Sequence, residues 1–335
     1  MAIKGVKLKY LLVILMLYVT STIGTLYMLF PYTILLFFNR KLFHKLCDFS
    51  LRIWFGFAVY LLEEFCNIKI FMHVSKINNY ESRKSSIVVM NHRTRLDWLF
   101  YFCILYRLKA LSQIKIILKD SLKRIPGPAW AMQTALFIFI KRKWTEDQNI
   151  FNKFIDYYNK IEKKFMILIF PEGTNMSRDS IEKSNKFADE KNLPRYEYVI
   201  HPRVTGFNYI FNRMYANEQI DCIHDVTVGY RGGKMPERET DFLAGNMPNE
   251  IHFFIDKFSC EKIFEDKNEK TNGEILEEWI CDRWQKKEEF LKKFYQQEQI
   301  GQNYETKDDL VNKFYLTMYP IFWLLIEELD PSSSK

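Results

Sequence analysis

The sequence predicts an α/β fold, with a mostly parallel sheet flanked by helices and an N-terminal membrane helix or hairpin. Between residues 68 and 170, short apolar runs typical of buried strands alternate with segments whose apolar residues recur at helical spacing. This alternation is typical of a parallel sheet covered by helices. Before it, residues 10–38 carry no charged side chain, and about 20 apolar residues are enough to span a bilayer.

The composition limits the kinds of partner. A chain of 335 residues can bury one sizeable core, and its net charge of +7 suits anionic lipid headgroups or a substrate with several phosphates. No known nucleic-acid-binding motif is found, so nucleic acid is not an expected partner. The six cysteines show no paired spacing and no group of residues has metal-ligand spacing, which indicates reduced thiols and predicts no metal site.

The apolar N-terminal stretch is expected to form one tilted helix or a bent hairpin, with Gly24 and Pro31 as bend points. Basic residues on both sides of it suit a re-entrant segment whose two ends lie on one side of a membrane. A second apolar stretch, residues 51–66, is short for a membrane span. It predicts either an interfacial helix or an ordinary core helix, and the sequence favours neither.

The later elements follow from apolar alternation and helical spacing. Strands are expected at 68–74, 87–89, 113–118, 137–140, 166–170, 198–200, 223–230 and 250–258. Helices are expected from Leu96, at 129–136, 145–164 and 274–297, and as one short helix within the polar stretch 175–195. Residues 259–273 read as a polar connector, and the apolar run 310–329 as an interfacial helix or short anchor. We divide the chain into membrane-anchoring segments (1–66), an α/β domain (67–260) and a C-terminal part with an amphipathic helix and an apolar segment (261–335).

His92 lies on the predicted turn between the strand at 87–89 and the next helix, and Asp97 lies in the first turn of that helix. Five residues apart on one helix, they would point about 140° away from each other, so they can pair only if His92 precedes the helix. There the carboxylate can accept the Nδ1 proton and leave Nε2 as a general base. The alternative is structural, because Thr94-x-x-Asp97 is also a capping box. The sequence leaves both interpretations open.

Four blocks, in order along the chain, resemble the glycerolipid acyltransferases, the 1-acylglycerol-3-phosphate acyltransferase superfamily. Asn91-His92 followed by Asp97 resembles the His-x4-Asp signature of that family. The other three blocks are Phe139-Ile-Lys-Arg142, Phe170-Pro-Glu-Gly-Thr174 and His201-Pro-Arg-Val-Thr-Gly-Phe207. The motifs look most similar to the lysocardiolipin acyltransferase branch.

The resemblance implies transfer of an acyl group from acyl-CoA to a lysophospholipid hydroxyl, with His92 as the general base and Asp97 orienting its ring. Acyl-CoA is then a co-substrate, and no further cofactor is expected. The expected acceptor is lysocardiolipin or another anionic lysophospholipid such as lysophosphatidylinositol. Two alternatives stay open: a 1-acylglycerol-3-phosphate acyltransferase that makes phosphatidic acid, and a non-catalytic lipid-binding membrane protein. Because no mitochondrial transit pattern is present, the endoplasmic reticulum membrane is the expected location.

The acceptor phosphate needs cationic and N–H donors, and the blocks supply candidates. The forked guanidinium of Arg142 suits phosphate. In the tight turn Glu172-Gly173-Thr174, backbone N–H groups and the Thr174 hydroxyl can bond phosphate, while Glu172 can hold a neighbouring arginine. Arg95 and Arg203 are either phosphate or CoA ligands or solvated turn residues.

The sequence also departs from the family pattern at three places. Leu136 stands where the family usually has glycine, and Asn175 stands where it commonly has arginine. The fourth block reads His201-Pro-Arg203 instead of a simple apolar-proline run. These departures leave the His92–Asp97 pair intact, and they argue against a simple preference for lysophosphatidic acid.

Overall fold

The computed structural model describes residues 7–237, 239–265, 270–297 and 303–307. Its α-helices are α1 (Leu8–Gly24), α2 (Phe30–Tyr32), α3 (Leu35–Phe38), α4 (Arg40–Tyr60), α5 (Asp97–Arg107), α6 (Pro128–Thr134), α7 (Trp144–Lys160), α8 (Arg178–Lys191), α9 (Val204–Ala216), α10 (Glu239–Leu243), α11 (Cys260–Phe264) and α12 (Asn272–Gln297). Its strands are β1 (Lys69–Asn79), β2 (Ser85–Met90), β3 (Ile114–Lys119), β4 (Ile138–Ile140), β5 (Met166–Ile169), β6 (Ile220–Gly233), β7 (Pro248–Ser259) and β8 (Tyr304–Thr306). The predicted apolar run at 310–329 lies outside the described residues.

The strands of the described residues form one sheet in the order β4-β3-β5-β2-β6-β7-β1-β8. Neighbouring strands are parallel except for the pairs β6–β7 and β1–β8. The predicted α/β fold with a mostly parallel sheet is therefore confirmed. The carboxyl ends of β2, β4 and β5 share one edge of the sheet, where such folds bind their ligands.

Helices cover both faces of the sheet, as the alternation of side chains along β2 shows. Ile87 and Val89 pack into an apolar layer that includes residues of α7, α9 and α12. Val88 and Met90 point the other way, into a layer that includes residues of α4 and α5. With both faces buried, the exposed part of the sheet is its strand ends.

The N-terminal stretch Leu8–Phe38 is a helical segment long and apolar enough to cross a membrane, with a mean hydropathy of 1.9. It widens into a π-helical turn at Thr25–Leu29, between the predicted bend points Gly24 and Pro31. Pro31 cannot donate a backbone hydrogen bond, so a local change of helix type is expected there.

The chain breaks more sharply at Asn39, where no bend was predicted. Its backbone leaves the helical region, and its side chain caps α4 by accepting the Leu42 N–H at 3.0 Å. Helix α4 then packs beside α1, and Trp54 Nε1 donates to Thr20 Oγ1 at 3.1 Å. Residues 51–62, the end of this helix and the start of a π-helical turn at Leu61–Phe65, are mostly buried in the layer that faces β2. The core-helix interpretation of the stretch 51–66 therefore describes it better than the interfacial one.

The predicted strand at 198–200 is wrong. Its backbone pairs with a side chain instead of a strand: the Glu288 carboxylate of α12 accepts the N–H groups of Glu197, Tyr198 and Val199 at 2.7, 2.8 and 3.0 Å. The structure also contains α9, which was not predicted, and α8 is longer than the expected short helix.

Candidate active site

The turn after β2 is fixed to β6, because β6 continues beyond the end of β2. The two strands are parallel, and Met90, the last residue of β2, pairs with Val226. The buried Asn91 then donates from Nδ2 to the Val228 carbonyl at 3.1 Å and accepts the Val228 N–H at 2.8 Å. This two-way bond continues the strand pairing through a side chain and holds His92 at the edge of the sheet.

His92 and Asp97 are hydrogen-bonded, with 2.9 Å between Nδ1 and Oδ2. Asp97 is fully buried, whereas the His92 side chain is 16% exposed. The same Asp97 oxygen accepts the Thr94 N–H at 3.0 Å, so the pair and the capping contact exist together. Because an ionised carboxylate can only accept, Nδ1 carries the proton and Nε2 is left as an acceptor.

The other oxygen of Asp97 is held by a residue that the sequence did not single out. Tyr230, buried on β6, donates its O–H to Asp97 Oδ1. Burial and the neighbouring carboxylate raise the pKa of Tyr230 well above its usual value, so the hydroxyl stays protonated and remains a donor. No local signal marks Tyr230, because it lies 133 residues from Asp97 and resembles any apolar strand residue.

The turn after β5, residues 170–174, lies against His92. Its conformation requires glycine at Gly173, where φ is 72°, and the Gly173 N–H closes the turn on the Phe170 carbonyl at 2.9 Å. The Phe170 ring stacks on the imidazole of His92 with 4.0 Å between centroids. Just beyond the turn, the Met176 N–H donates to the His92 carbonyl at 2.8 Å. The two turns therefore form one unit.

Glu172 is 2% exposed and lies beneath this unit. Its carboxyl group accepts from Trp284 Nε1 at 3.2 Å and from the backbone N–H groups of His92 and Ile200. None of these partners is an arginine, which differs from the arginine-holding role expected of Glu172. Burial raises the pKa of Glu172 to about 8, against the opposing effect of these N–H donors.

A cleft of about 490 Å³ opens beside the second turn. Arg142, Gly173, Thr174 and Arg203 all line it, so the structure brings these candidate residues together, with Glu172 at the floor. Arg142 extends from the end of β4 and donates from Nη2 to the Gly173 carbonyl at 3.3 Å. The cleft thus combines two guanidinium groups, a hydroxyl and a tight turn, which are donors suited to a phosphate.

Two residues on either side of β4 have backbone conformations in the left-handed region. Arg142 has φ of 62° and Leu136 has φ of 58°, conformations that cost a non-glycine residue about 1–3 kcal/mol. The conformation of Leu136 explains why glycine is expected at that position. Arg95 is exposed on the turn before α5 and does not line the cleft. His92 and Asp97 do not line it either, and His92 instead contacts Phe170 and Met176 on either side of the turn that does.

The part of the chain that builds this site is similar in sequence to known proteins. The acyltransferase family model matches residues 71–231. Lysocardiolipin acyltransferase 1 of Mus musculus is 38% identical over 285 residues, covering 85% of this chain and 73% of that protein. Lysophosphatidylinositol acyltransferase 10 of Caenorhabditis elegans is 35% identical over 263 residues, covering 78% of this chain and 65% of that protein.

The fold also matches a solved structure, the 1-acyl-sn-glycerophosphate (LPA) acyltransferase PlsC of Thermotoga maritima. The TM-score is 0.50 at 15% sequence identity, with 84% of this chain and 95% of the PlsC chain covered. At that identity the match shows a common fold. Together with the identity to the Mus musculus enzyme over most of both sequences, it leads to one conclusion. The chain belongs to the glycerolipid acyltransferase family.

Proposed function

We propose that this protein transfers an acyl group from acyl-CoA to the free hydroxyl of a lysophospholipid, with His92 as the general base. Nε2 of His92 takes the hydroxyl proton while the hydroxyl oxygen attacks the thioester carbonyl. A C–O bond forms, the C–S bond breaks, and the proton passes to the departing thiolate. The observation that carries the proposal is the 2.9 Å bond from Nδ1 to the buried Asp97, which fixes the tautomer and leaves Nε2 for the substrate.

The acceptor that we propose is an anionic lysophospholipid, lysocardiolipin or lysophosphatidylinositol. The cleft beside the turn at 170–174 supports this choice, because Arg142 and Arg203 both line it and suit a phosphate. The names of the Mus musculus and Caenorhabditis elegans relatives indicate the same acceptors. The same two guanidinium groups also suit a phosphomonoester, so 1-acylglycerol-3-phosphate is the alternative acceptor.

We place the enzyme in a membrane, and specifically that of the endoplasmic reticulum. The segment Leu8–Phe38 supports membrane attachment because it exposes large apolar side chains that water would disfavour. Leu8, Phe37 and Phe38 are 70%, 87% and 83% exposed. A lipid acceptor whose acyl chain stays in the bilayer would then meet the active site close to the membrane surface.

The test is acyl transfer from labelled oleoyl-CoA by membranes that carry the wild-type chain or Arg142→Ala. The acceptors are monolysocardiolipin, lysophosphatidylinositol and lysophosphatidic acid, offered separately. Loss of the guanidinium should raise the KM for the anionic acceptors about 10-fold, the effect of one charge-assisted hydrogen bond. Lys143→Ala is the matched control, because Lys143 is the adjacent cation and pairs with Glu146 outside the cleft.

Each result has a distinct meaning. Acylation of monolysocardiolipin or lysophosphatidylinositol supports the proposed acceptor class. Acylation of lysophosphatidic acid alone would leave the reaction standing and replace the acceptor. If no acceptor is acylated by the wild-type chain, the non-catalytic lipid-binding alternative takes the place of the enzyme.

A further inference from the structure

The cleft has a second wall that the phosphate-binding turn does not explain. This wall is one face of α8 together with its N-cap residue. Its members are Ser177, Asp179, Ser180, Lys183, Ser184 and Phe187, and residues three and four apart lie on the same face of a helix. The inner face of a surface helix is normally apolar. Here Ser180 and Ser184 are buried on it, and this polar face borders a cavity.

The serine hydroxyls of this wall are already engaged within the protein. Ser177 and Ser180 form the capping box that starts α8, and Ser184 Oγ lies 3.0 Å from Nδ1 of His201. Through these contacts the wall is rigid before any ligand arrives. A preformed polar surface of this kind binds a ligand at a lower entropic cost than a mobile one.

Two charged groups on the same wall are left for a ligand. Lys183 and Asp179 both line the cleft, and for neither is a hydrogen bond or an ion pair found within the described ranges. Asp179 has a structural use as well, since a carboxylate in the first turn stabilises a helix. Lys183, in the middle of α8, has no such use. His201 also lines the cleft, and its Nε2 is buried with no hydrogen-bond partner among the residues that the structure describes.

We propose that the α8 wall binds the part of the acceptor headgroup beyond its first phosphate, and that this part is a polyol attached as a phosphodiester. The inference rests on the proposed function and names its substrate class. In this proposal Arg142 and Arg203 bind the first phosphate, and the cleft that both line has a volume in the range of ligand-sized pockets. Beyond it, Lys183 donates to hydroxyl oxygens or to a second phosphate, and Asp179 accepts from hydroxyl groups.

This chemistry separates acceptors by the size and polarity of their headgroup. A phosphomonoester such as lysophosphatidic acid can contact Arg142 and Arg203, but it has no further headgroup to place on the α8 wall. The inositol ring of lysophosphatidylinositol and the glycerol phosphate of monolysocardiolipin both extend onto it. The wall would therefore add binding free energy for the two larger headgroups only, which is how a specificity element acts.

The experiment compares Lys183→Met with wild type on lysophosphatidylinositol, monolysocardiolipin and lysophosphatidic acid, using labelled oleoyl-CoA and full-length protein in membranes. The variant should raise KM about 10-fold for the two polyol acceptors, as expected for one charge-assisted hydrogen bond. The KM for lysophosphatidic acid should change less than about twofold. Lys186→Met is the matched control, because Lys186 is exposed on the same helix and does not line the cleft.

A second variant, Asp179→Asn, distinguishes the two polyol sources. If inositol hydroxyls occupy the wall, Asp179→Asn should raise the KM for lysophosphatidylinositol more than the KM for monolysocardiolipin. If a second phosphate occupies the wall, Lys183→Met should raise the KM for monolysocardiolipin more than the KM for lysophosphatidylinositol. Either pattern supports the subsite. An equal loss on all three acceptors, or no loss on any, would overturn it while the acyltransferase proposal stands. A wild-type chain that acylates nothing would instead remove the proposed function and the subsite with it.

Discussion

Two turns hold His92, and each does so through a buried carboxyl group of a different character. Asp97, which begins α5 directly after the turn that follows β2, accepts the imidazole N–H of His92. Glu172, in the turn after β5, accepts the backbone N–H of the same residue. Asp97 collects donors from His92, Thr94 and Tyr230, whereas burial raises the pKa of Glu172 to about 8. The Asp97 carboxylate thus orients the imidazole ring of His92, and the Glu172 carboxyl group fixes the position of the backbone around His92.

The largest effect should come from Asp97→Asn, because an amide has one acceptor oxygen where three donors converge. The imidazole would lose its fixed tautomer, and kcat should fall about 100-fold or more, the scale of general-base catalysis. Steady-state acyl transfer at neutral pH measures this. Glu172→Gln is the paired variant. Its amide likewise offers one acceptor oxygen to three N–H donors, but these donors do not include the imidazole, so kcat should fall about 10-fold or less, as for one lost hydrogen bond. Equal losses in the two variants would remove the distinction between the turns.

Tyr230→Phe should have the next largest effect. It removes the O–H that holds Asp97 Oδ1 and leaves a buried carboxylate oxygen without that donor, which costs about 1–3 kcal/mol. We expect kcat to fall about 10-fold with little change in KM. Tyr101→Phe is the control, since Tyr101 is also fully buried and its hydroxyl has no hydrogen-bond partner in the described part of the chain. If both variants lost activity equally, loosened packing and not the lost donor would be the cause.

The turn after β5, which contains Glu172, should make the free energy of unfolding depend on pH. Because the pKa of Glu172 rises from an ordinary 4.5 to about 8 on folding, the folded state favours its protonated form. That contribution to stability is complete below pH 4.5 and is lost as the pH rises to about 8, by about 1.4 kcal/mol per pH unit. Glu172→Gln cannot ionise, so its unfolding midpoint should fall less than that of wild type between pH 6 and 8. Parallel pH profiles for the two proteins would contradict the raised pKa.

The smallest effect on acyl transfer is expected from a change at Glu288, which binds the segment that leads to Arg203. The Glu288 carboxylate binds three backbone N–H groups of residues 197–199, and Glu288→Gln weakens this contact without removing bulk. Because the segment leads to the cleft, the KM for the acceptor should rise about threefold while kcat is unchanged, as for one weakened hydrogen bond. Glu289→Gln is the control, since Glu289 is exposed and contacts Gln285. A fall in kcat without a change in KM would place the effect at His92 instead.

What the sequence could predict was local. The strand-turn-helix around His92 was predictable because a β-branched run, a polar break and helical spacing lie within about 20 residues of one another. The same applies to β5 and its turn. The family blocks also indicated that Arg142, Gly173 and Thr174 belong to one site, and the structure places them around one cleft.

What the sequence could not predict depends on contacts between distant segments. Tyr230 reaches Asp97 because β6 inserts beside β2 and extends past it, and no periodicity encodes that neighbour. Residues 198–200 look like a strand, yet a carboxylate from α12 satisfies the backbone N–H groups that a strand would pair. The role of Glu172 also escaped prediction, because Trp284 and the backbone of Ile200 come from elsewhere in the chain.

The most direct test of His92 as the general base is a comparison of wild type and His92→Ala in one assay. Acyl transfer from labelled oleoyl-CoA to lysophosphatidylinositol is measured over time, together with binding of the acceptor to each protein. We expect the transfer rate to fall at least about 100-fold while acceptor binding changes little, because in the proposed mechanism the imidazole acts on the hydroxyl proton and Arg142 and Arg203 bind the phosphate. A His92→Ala protein that transfers acyl groups within about fivefold of the wild-type rate would contradict the mechanism.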